Sequence, residues 1–311
     1  MGAPSLTLPS HPADFPVILF GLECRTTAIV LTELIEAGLA VSLVCLPGRP
    51  GVPLLRVSNR SSLPMAGASG RPRSVAGIAG AAGVEVWRVG DLNSPEVHEG
   101  LPAVPGEMLV VACYDRLLTA GLYADRRHGG VNIHPSLLPD KRGPDPLFWV
   151  FREGDDLVGT TLHRLTDAFD GGDILAQEAL PKPDGITEEE LDGTLSRLGA
   201  RLLLEAISHA AANTLVPRPQ TAQKASWAPF PSPADYQIDR TMDARHAFNF
   251  VRGVSGRSHP VLIDIDGRRF PVLEVHGWLE NDKSPAALPD GAQVVEFAVG
   301  WLALTLGDET G

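Results

Sequence analysis

The sequence predicts an α/β protein, a doubly wound parallel sheet followed by a small β-barrel-like (OB-like) domain. Three observations predict it. Short, continuously apolar runs alternate with helix-like stretches in the first part of the chain, as strands buried on both faces do. A proline-rich stretch then interrupts that pattern. Beyond it come β-like segments around an Asp-Gly turn. The 311 residues accordingly divide into a first domain at 1–212, a linker at 213–233 and a β domain at 234–311.

Pro16–Phe20 (PVILF) reads as a buried strand. Thr26 to Ala37 sets Ile29, Val30, Leu34 and Ala37 on one helical face, and Gly38 stops it. Val41–Leu46, Val84–Val89 and Met108–Cys113 are the next strands. In such sheets ligands bind beyond the carboxyl ends of the strands. The first strand-to-helix turn, Gly21-Leu22-Glu23-Cys24, carries no GxGxxG, so no dinucleotide is expected.

Farther on, Thr187-Glu188-Glu189-Glu190 is a capping box ahead of Leu191, Leu195, Leu198 and Leu202, a helix expected to run to about Ala212. Pro217, Pro219, Pro229, Pro231 and Pro233 mark an extended linker. A short helix at Ala244–Val251 precedes two strand-like runs hinged at Asp266-Gly267, and Ala298–Leu306 is β-like again.

The net charge of −12 disfavours a broad phosphate-binding surface. It is unevenly spread. From Ala37 through Val84 there is no acidic residue but there are Arg49, Arg56, Arg60, Arg71 and Arg73, which leaves the rest of the chain at −17. That Pro/Gly/Ser-rich stretch reads equally as a solvated insertion or as an anion-facing loop. Cys24, Cys45 and Cys113 show no CxxC spacing and sit in apolar surroundings, so they are expected as small buried hydrophobes. No apolar run is long enough to span a bilayer, and the start, with Pro4, Pro9 and Pro12, has no basic region of a secretory signal. No membrane association and a cytoplasmic location are expected.

The chemistry concentrates in Val131–Gly143, VNIHPSLLPDKRG. Asn132 and His134 lie two apart, hence on one side of a strand, and Pro135 limits the strand beyond them. An amide beside an imidazole suits a carbonyl oxygen that becomes negatively charged. The carboxylate to orient the imidazole is sought in Thr166–Leu175, TDAFDGGDIL, whose tandem glycines allow a close backbone approach. Asp167 and Asp173 read as turn formers, and His163 as a hydrogen-bonded, partly buried histidine. Cys113 and the aromatics Phe148, Trp149 and Phe151 read as packing. Without HExxH or clustered cysteines no metal is expected.

Taken together, Asn132-x-His134, Ser136–Pro139, Arg142-Gly143 and Asp170-Gly171-Gly172-Asp173-Ile174-Leu175 resemble the 10-formyltetrahydrofolate-dependent formyltransferase superfamily. The resemblance covers most of Pro16–Ala212. The linker and β tail, notably Asp235–Asp239 (DYQID), are similar to the methionyl-tRNA formyltransferase branch. The resemblance implies formyl transfer from 10-formyltetrahydrofolate to an amine. It assigns Asn132 and His134 to the tetrahedral oxyanion, and Asp170 to orienting His134 and relaying protons. The folate pocket it implies takes in Arg116, Leu117 and Leu118, the turn Ser136, Leu137, Leu138 and Pro139, and the segment Thr166, Asp167, Ala168 and Phe169. It also implies charged initiator tRNA as a partner of the Arg49–Arg73 loop.

The chain departs from that branch at Tyr114-Asp115, at Pro144-Asp145-Pro146 and at Thr160-Thr161-Leu162-His163. Thr214–Gly311 holds 9 basic and 12 acidic residues, a poor phosphate platform. A small amine acceptor (an amino sugar or a natural-product precursor), hydrolysis of formyltetrahydrofolate, and a folate-binding pseudo-enzyme stay open as alternatives.

Overall fold

In a computed structural model, residues 14–57, 74–280 and 288–309 are described. Arg60, Arg71 and Arg73 of the basic stretch lie outside these residues. In chain order the elements are β1 (Val17–Gly21), α1 (Arg25–Glu36), β2 (Val41–Pro47), β3 (Leu54–Val57), α2 (Val75–Ala81), β4 (Glu85–Val89), α3 (Pro95–Gly100), β5 (Met108–Ala112) and β6 (Gly130–His134). There follow α4 (Pro146–Glu153), β7 (Leu157–Arg164), β8 (Ile174–Pro181), α5 (Glu188–Ala211), β9 (Gln237–Ile238), α6 (Ala244–Val254), β10 (Leu262–Ile265), β11 (Arg268–Leu279), β12 (Gln293–Glu296) and β13 (Trp301–Leu306).

Two compact units form. One lies within Met1–Gly143, Gly159–Ala179 and Gly193–Trp227; the other within Pro144–Val158, Leu180–Asp192 and Ala228–Gly311.

The sheet of the first unit has the order β3-β4-β2-β1-β5-β6-β7-β8. Strands β4, β2, β1, β5 and β6 are parallel, as the apolar runs predict. Its flanks differ from that expectation: β3 runs antiparallel to β4, and β7 antiparallel to β6. The period of two explains why both faces are dry. Val17 and Leu19 enter one core with Val30, Leu31 and Leu34 of α1 and Leu203 and Ile207 of α5. Ile18 and Phe20 enter the opposite core with Trp87, Leu101, Leu118, Leu122 and Tyr123. Along β5, Val110 and Leu109 divide between the faces in the same way.

Cys45 is buried in the second of these cores, as expected. Cys24 is only partly buried and Cys113 is exposed, a correction to the reading of three buried thiols. Cys113 follows the last residue of β5 at φ 57, so its backbone turns left-handed out of the ladder and the side chain leaves the apolar face.

In the second unit a sheet of order β12-β13-β11-β10-β9 packs with α6. The β10–β11 hairpin turns at Asp266 (φ 55) and Gly267 (φ 81), the paired positive φ that an Asp-Gly turn supplies. Phe148 and Phe151 of α4 are fully buried, as read from sequence. The Phe148 ring lies 4.9 Å from Tyr236 and 5.7 Å from Phe250. Among the described residues no helix is long and apolar enough to cross a membrane.

Candidate active site

The site is built where β6 ends. Asn132 and His134 share one face of that strand, and the antiparallel register sets His163 opposite Asn132 and Thr161 opposite His134. Alternation then puts all four side chains on the same side of the sheet. Thr161 fastens the turn that follows β6. Its hydroxyl donates to the Ser136 carbonyl at 2.6 Å and accepts from the Leu138 N–H at 3.1 Å. Gln177 of β8 donates to the Leu138 carbonyl and to the Thr161 hydroxyl, both at 2.8 Å. On the reverse side Gly199 of α5 approaches Ile133 so closely that a Cβ would collide with it.

Asp170 comes into this cluster from the loop between β7 and β8. Its Oδ1 accepts from Asn132 Nδ2 at 3.2 Å and lies 3.6 Å from His134 Nδ1 and 3.4 Å from His163 Nε2. Its Oδ2 accepts the Gly143 N–H at 2.8 Å. Asp170 has φ 52, a left-handed conformation that Asp tolerates better than most residues. Gly172 allows the turn: a Cβ there would run into the Arg164 carbonyl.

Tautomers follow from the acceptors. His134 Nε2 faces the Lys141 carbonyl at 2.8 Å, so it carries the proton and donates. His163 Nδ1 donates to the Arg164 carbonyl at 2.9 Å, which leaves its Nε2 to accept from Asn132 Nδ2 at 3.1 Å. The two amide protons of Asn132 are therefore shared between Asp170 and His163.

His134, Asp170 and His163 are all buried. Burial holds the His134 pKa below that of a free imidazole, against the opposing pull of Asp170 and of the Lys141 carbonyl. Burial alone would raise the Asp170 carboxyl. The two imidazoles and the Gly143 N–H outweigh it and hold the pKa down at about 2. At neutral pH an unprotonated Nδ1 thus faces an ionised oxygen, two acceptors side by side. A proton placed between them would be shared by both.

The residues expected at a folate pocket fall into two groups. Leu118 is buried in the cluster that holds Leu122 and Tyr123, against which Leu165 also packs. Leu118 and Leu165, next to the two segments 116–118 and 166–169, thus meet one apolar layer. Leu117 is 37% and Phe169 50% exposed. Arg116 does not point freely outward: its Nη1 donates to the Val89 and Gly90 carbonyls at 3.2 and 3.0 Å. Thr166 caps its own turn through Ala168, and Asp167, beside Tyr123, adds to the effect of burial in raising that phenol's pKa. Ser136, Leu137, Leu138 and Pro139 form the other group, packed toward β7 and β8. Ser136 is buried and donates to the Asp140 carbonyl at 2.7 Å, and a Cβ on Gly159 would strike Leu137.

His163, which the sequence reads as a hydrogen-bonded, partly buried histidine, is a buried member of the cluster. The signal was its two-residue offset from Thr161, which matches Asn132-x-His134 across an antiparallel pair. That pairing was hidden by the expectation of a parallel sheet. The backbone carbonyl of Lys141 carries no chemistry that a side-chain motif would reveal. Among the described residues no group of three or more His, Cys, Asp or Glu is arranged to hold a metal ion.

The profile of the formyl transferase family matches residues 33–207, which include Asn132, His134 and Asp170. The chain belongs to that family. A methionyl-tRNA formyltransferase of Acidothermus cellulolyticus is 36% identical to this formyl transferase over 227 residues, 73% of this chain and 69% of its own length. A second methionyl-tRNA formyltransferase, from a Synechococcus species, is 31% identical over 263 residues, 84% of this chain and 76% of its own. Among solved structures, the N-formyltransferase of Helicobacter canadensis in complex with folinic acid and dTDP-3-aminofucose has a TM-score of 0.65 at 13% identity. It covers 94% of this chain and 99% of that one, a likeness of fold. HypX from Aquifex aeolicus in complex with tetrahydrofolic acid gives 0.58 at 16% identity, over 93% of this chain and 43% of its own.

Proposed function

We propose that the chain moves the formyl group of 10-formyltetrahydrofolate to the α-amino group of methionyl-tRNA. The observation that carries the reading is the convergence of Asn132, His134 and Asp170 in a chain 31–36% identical to methionyl-tRNA formyltransferases over more than two thirds of its length. The folate is a substrate, and the exposed apolar side chains of Leu117 and Phe169 suit its pterin.

The amine attacks the formyl carbon, forming the new C–N bond and an oxyanion. Asn132 gives that oxyanion an amide N–H, exchanging it for the longer of its two resident bonds. The proton lost by the attacking nitrogen passes to the Asp170–His134 pair, whose facing acceptors are 3.6 Å apart. Collapse of the intermediate breaks the bond to N10, and the held proton completes the tetrahydrofolate N–H. Atoms and charge balance with no further reagent. Arg49 and Arg56, beyond β2 and in β3, begin the basic segment proposed to meet the acceptor stem.

The test offers labelled 10-formyltetrahydrofolate with charged initiator tRNA. Formyl-methionyl-tRNA should appear, at a rate that falls with added salt. Absence of transfer to tRNA, with turnover on amino sugars instead, would replace the acceptor. That second reading has its own observation. In the second unit Asp239, Asp264, Asp266 and Glu296 line one hollow with Arg240, an acidic wall unsuited to a phosphate backbone.

A further inference from the structure

The loop that delivers Asp170 is held by a side chain from far along the sequence. Gln220 Nε2 donates to the Asp170 carbonyl at 2.8 Å and to the Gly172 carbonyl at 2.6 Å, one bond at each end of the Asp-Gly-Gly turn. Gln220 Oε1 accepts from Arg142 Nε at 3.1 Å and Nη2 at 2.7 Å. Both amide protons and both lone pairs are thus spoken for, so the amide has one orientation. The backbone that carries it is tied on both sides. Ile174 and Arg218 exchange N–H···O bonds of 2.7 and 2.8 Å, and the Arg142 N–H donates to the Ser226 carbonyl at 3.0 Å.

Arg142 is the residue between two backbone groups that address the catalytic pair. The Lys141 carbonyl receives His134 Nε2, and the Gly143 N–H binds the Asp170 carboxylate. Its side chain then reaches Asp170 a second time, through Gln220. The imidazole, the carboxylate and the left-handed turn beneath the carboxylate are therefore referred to one short segment, 141–143.

We infer that Gln220, oriented by Arg142, is a positioning residue for formyl transfer, fixing the Asp170 carboxylate against His134. This rests on the catalytic reading of Asp170 given above. Without the amide, two carbonyls of the turn lose their donor, and a side chain in an uncommon backbone conformation loses the contact that selects it. A shift of the carboxylate by a fraction of an ångström alters the proton-holding geometry without touching either substrate.

Gln220→Glu separates positioning from structure. The carboxylate keeps, and strengthens, the acceptor for Arg142, but has no N–H for the Asp170 and Gly172 carbonyls. The inference expects an unchanged KM for the formyl donor and kcat lower by about 10- to 100-fold, a loss that exceeds any fall in the folded fraction read from the unfolding midpoint. Gln220→Ala should lose kcat to a similar degree. Wild-type kcat in Gln220→Glu would overturn the inference, as would a loss in both variants that merely tracks loss of folded protein. Asp170→Asn is assayed beside them. If it retains full turnover, the catalytic reading itself falls. If it is inactive while the Gln220 variants are normal, only the positioning role falls.

Discussion

The peptide N–H of Gly143 donates to the Asp170 carboxylate at 2.8 Å, joining two residues 27 apart in sequence at the end of a parallel strand. That single bond decides several properties of the site. It fixes which oxygen is left for Asn132 and the imidazoles, and it stabilises the ionised carboxylate where burial would otherwise disfavour it.

Asp170→Asn should therefore retain the fold and lose its role as a proton receptor. An amide can still meet Gly143, but it cannot hold a proton with His134 Nδ1. Steady-state formyl transfer should fall by at least about 10²-fold.

Asn132→Ala removes the amide proposed to meet the oxyanion. The expected loss is about 10²–10³ in kcat, with a smaller change in KM for the folate, measured by initial rates at varied donor.

His163→Leu tests the member that the sequence did not declare. It leaves an Asn132 amide proton and the Arg164 carbonyl without their partner. Such unpaired buried groups cost about 1–3 kcal/mol each. Chemical denaturation should show the lower stability, and kcat should fall as Asn132 loses its anchor.

The pH dependence has a definite sign. The Asp170 carboxyl titrates at about 2 in the folded chain, below its ordinary range. Its contribution is full above the unfolded value of about 4 and is lost as pH falls toward 2, amounting to about 2 kcal/mol. His134, held below a free imidazole by burial, adds destabilisation as pH falls below about 6.5. Urea titrations from pH 7 down to pH 3 should show falling stability, and Asp170→Asn should flatten the lower part of that curve.

Gly172→Ala should destabilise by about 1–3 kcal/mol, because the added methyl meets the Arg164 carbonyl, whereas at Gly171 the same change meets nothing nearer than 3.6 Å. Paired unfolding curves of the two variants check this.

Much of this architecture was legible in the chain. The apolar runs marked β1, β2, β4 and β5 to within a residue or so, because strands buried on both faces need no polar alternation. Asp266-Gly267 announced its hairpin through its demand for positive φ. Asn132 and His134 stood out through their two-residue spacing, and the family resemblance singled out Asp170 within the glycine-bearing segment Thr166–Leu175. The antiparallel flank was harder to see: the apolar start of β7 fits either direction, and its direction follows only from long-range pairing with β6. Gln220 lay in a stretch whose prolines read as linker, and its two hydrogen-bonded carbonyls belong to a loop 50 residues earlier. Backbone partners of this kind leave no pattern in side-chain order.

The catalytic role of the Asp170–His134 pair is measured by following tetrahydrofolate release and amine formylation together, in wild type and in His134→Ala and Asp170→Asn. Wild type should release one tetrahydrofolate per formylated amine, and each variant should lose both products in parallel. Undiminished coupled turnover in either variant would contradict that role.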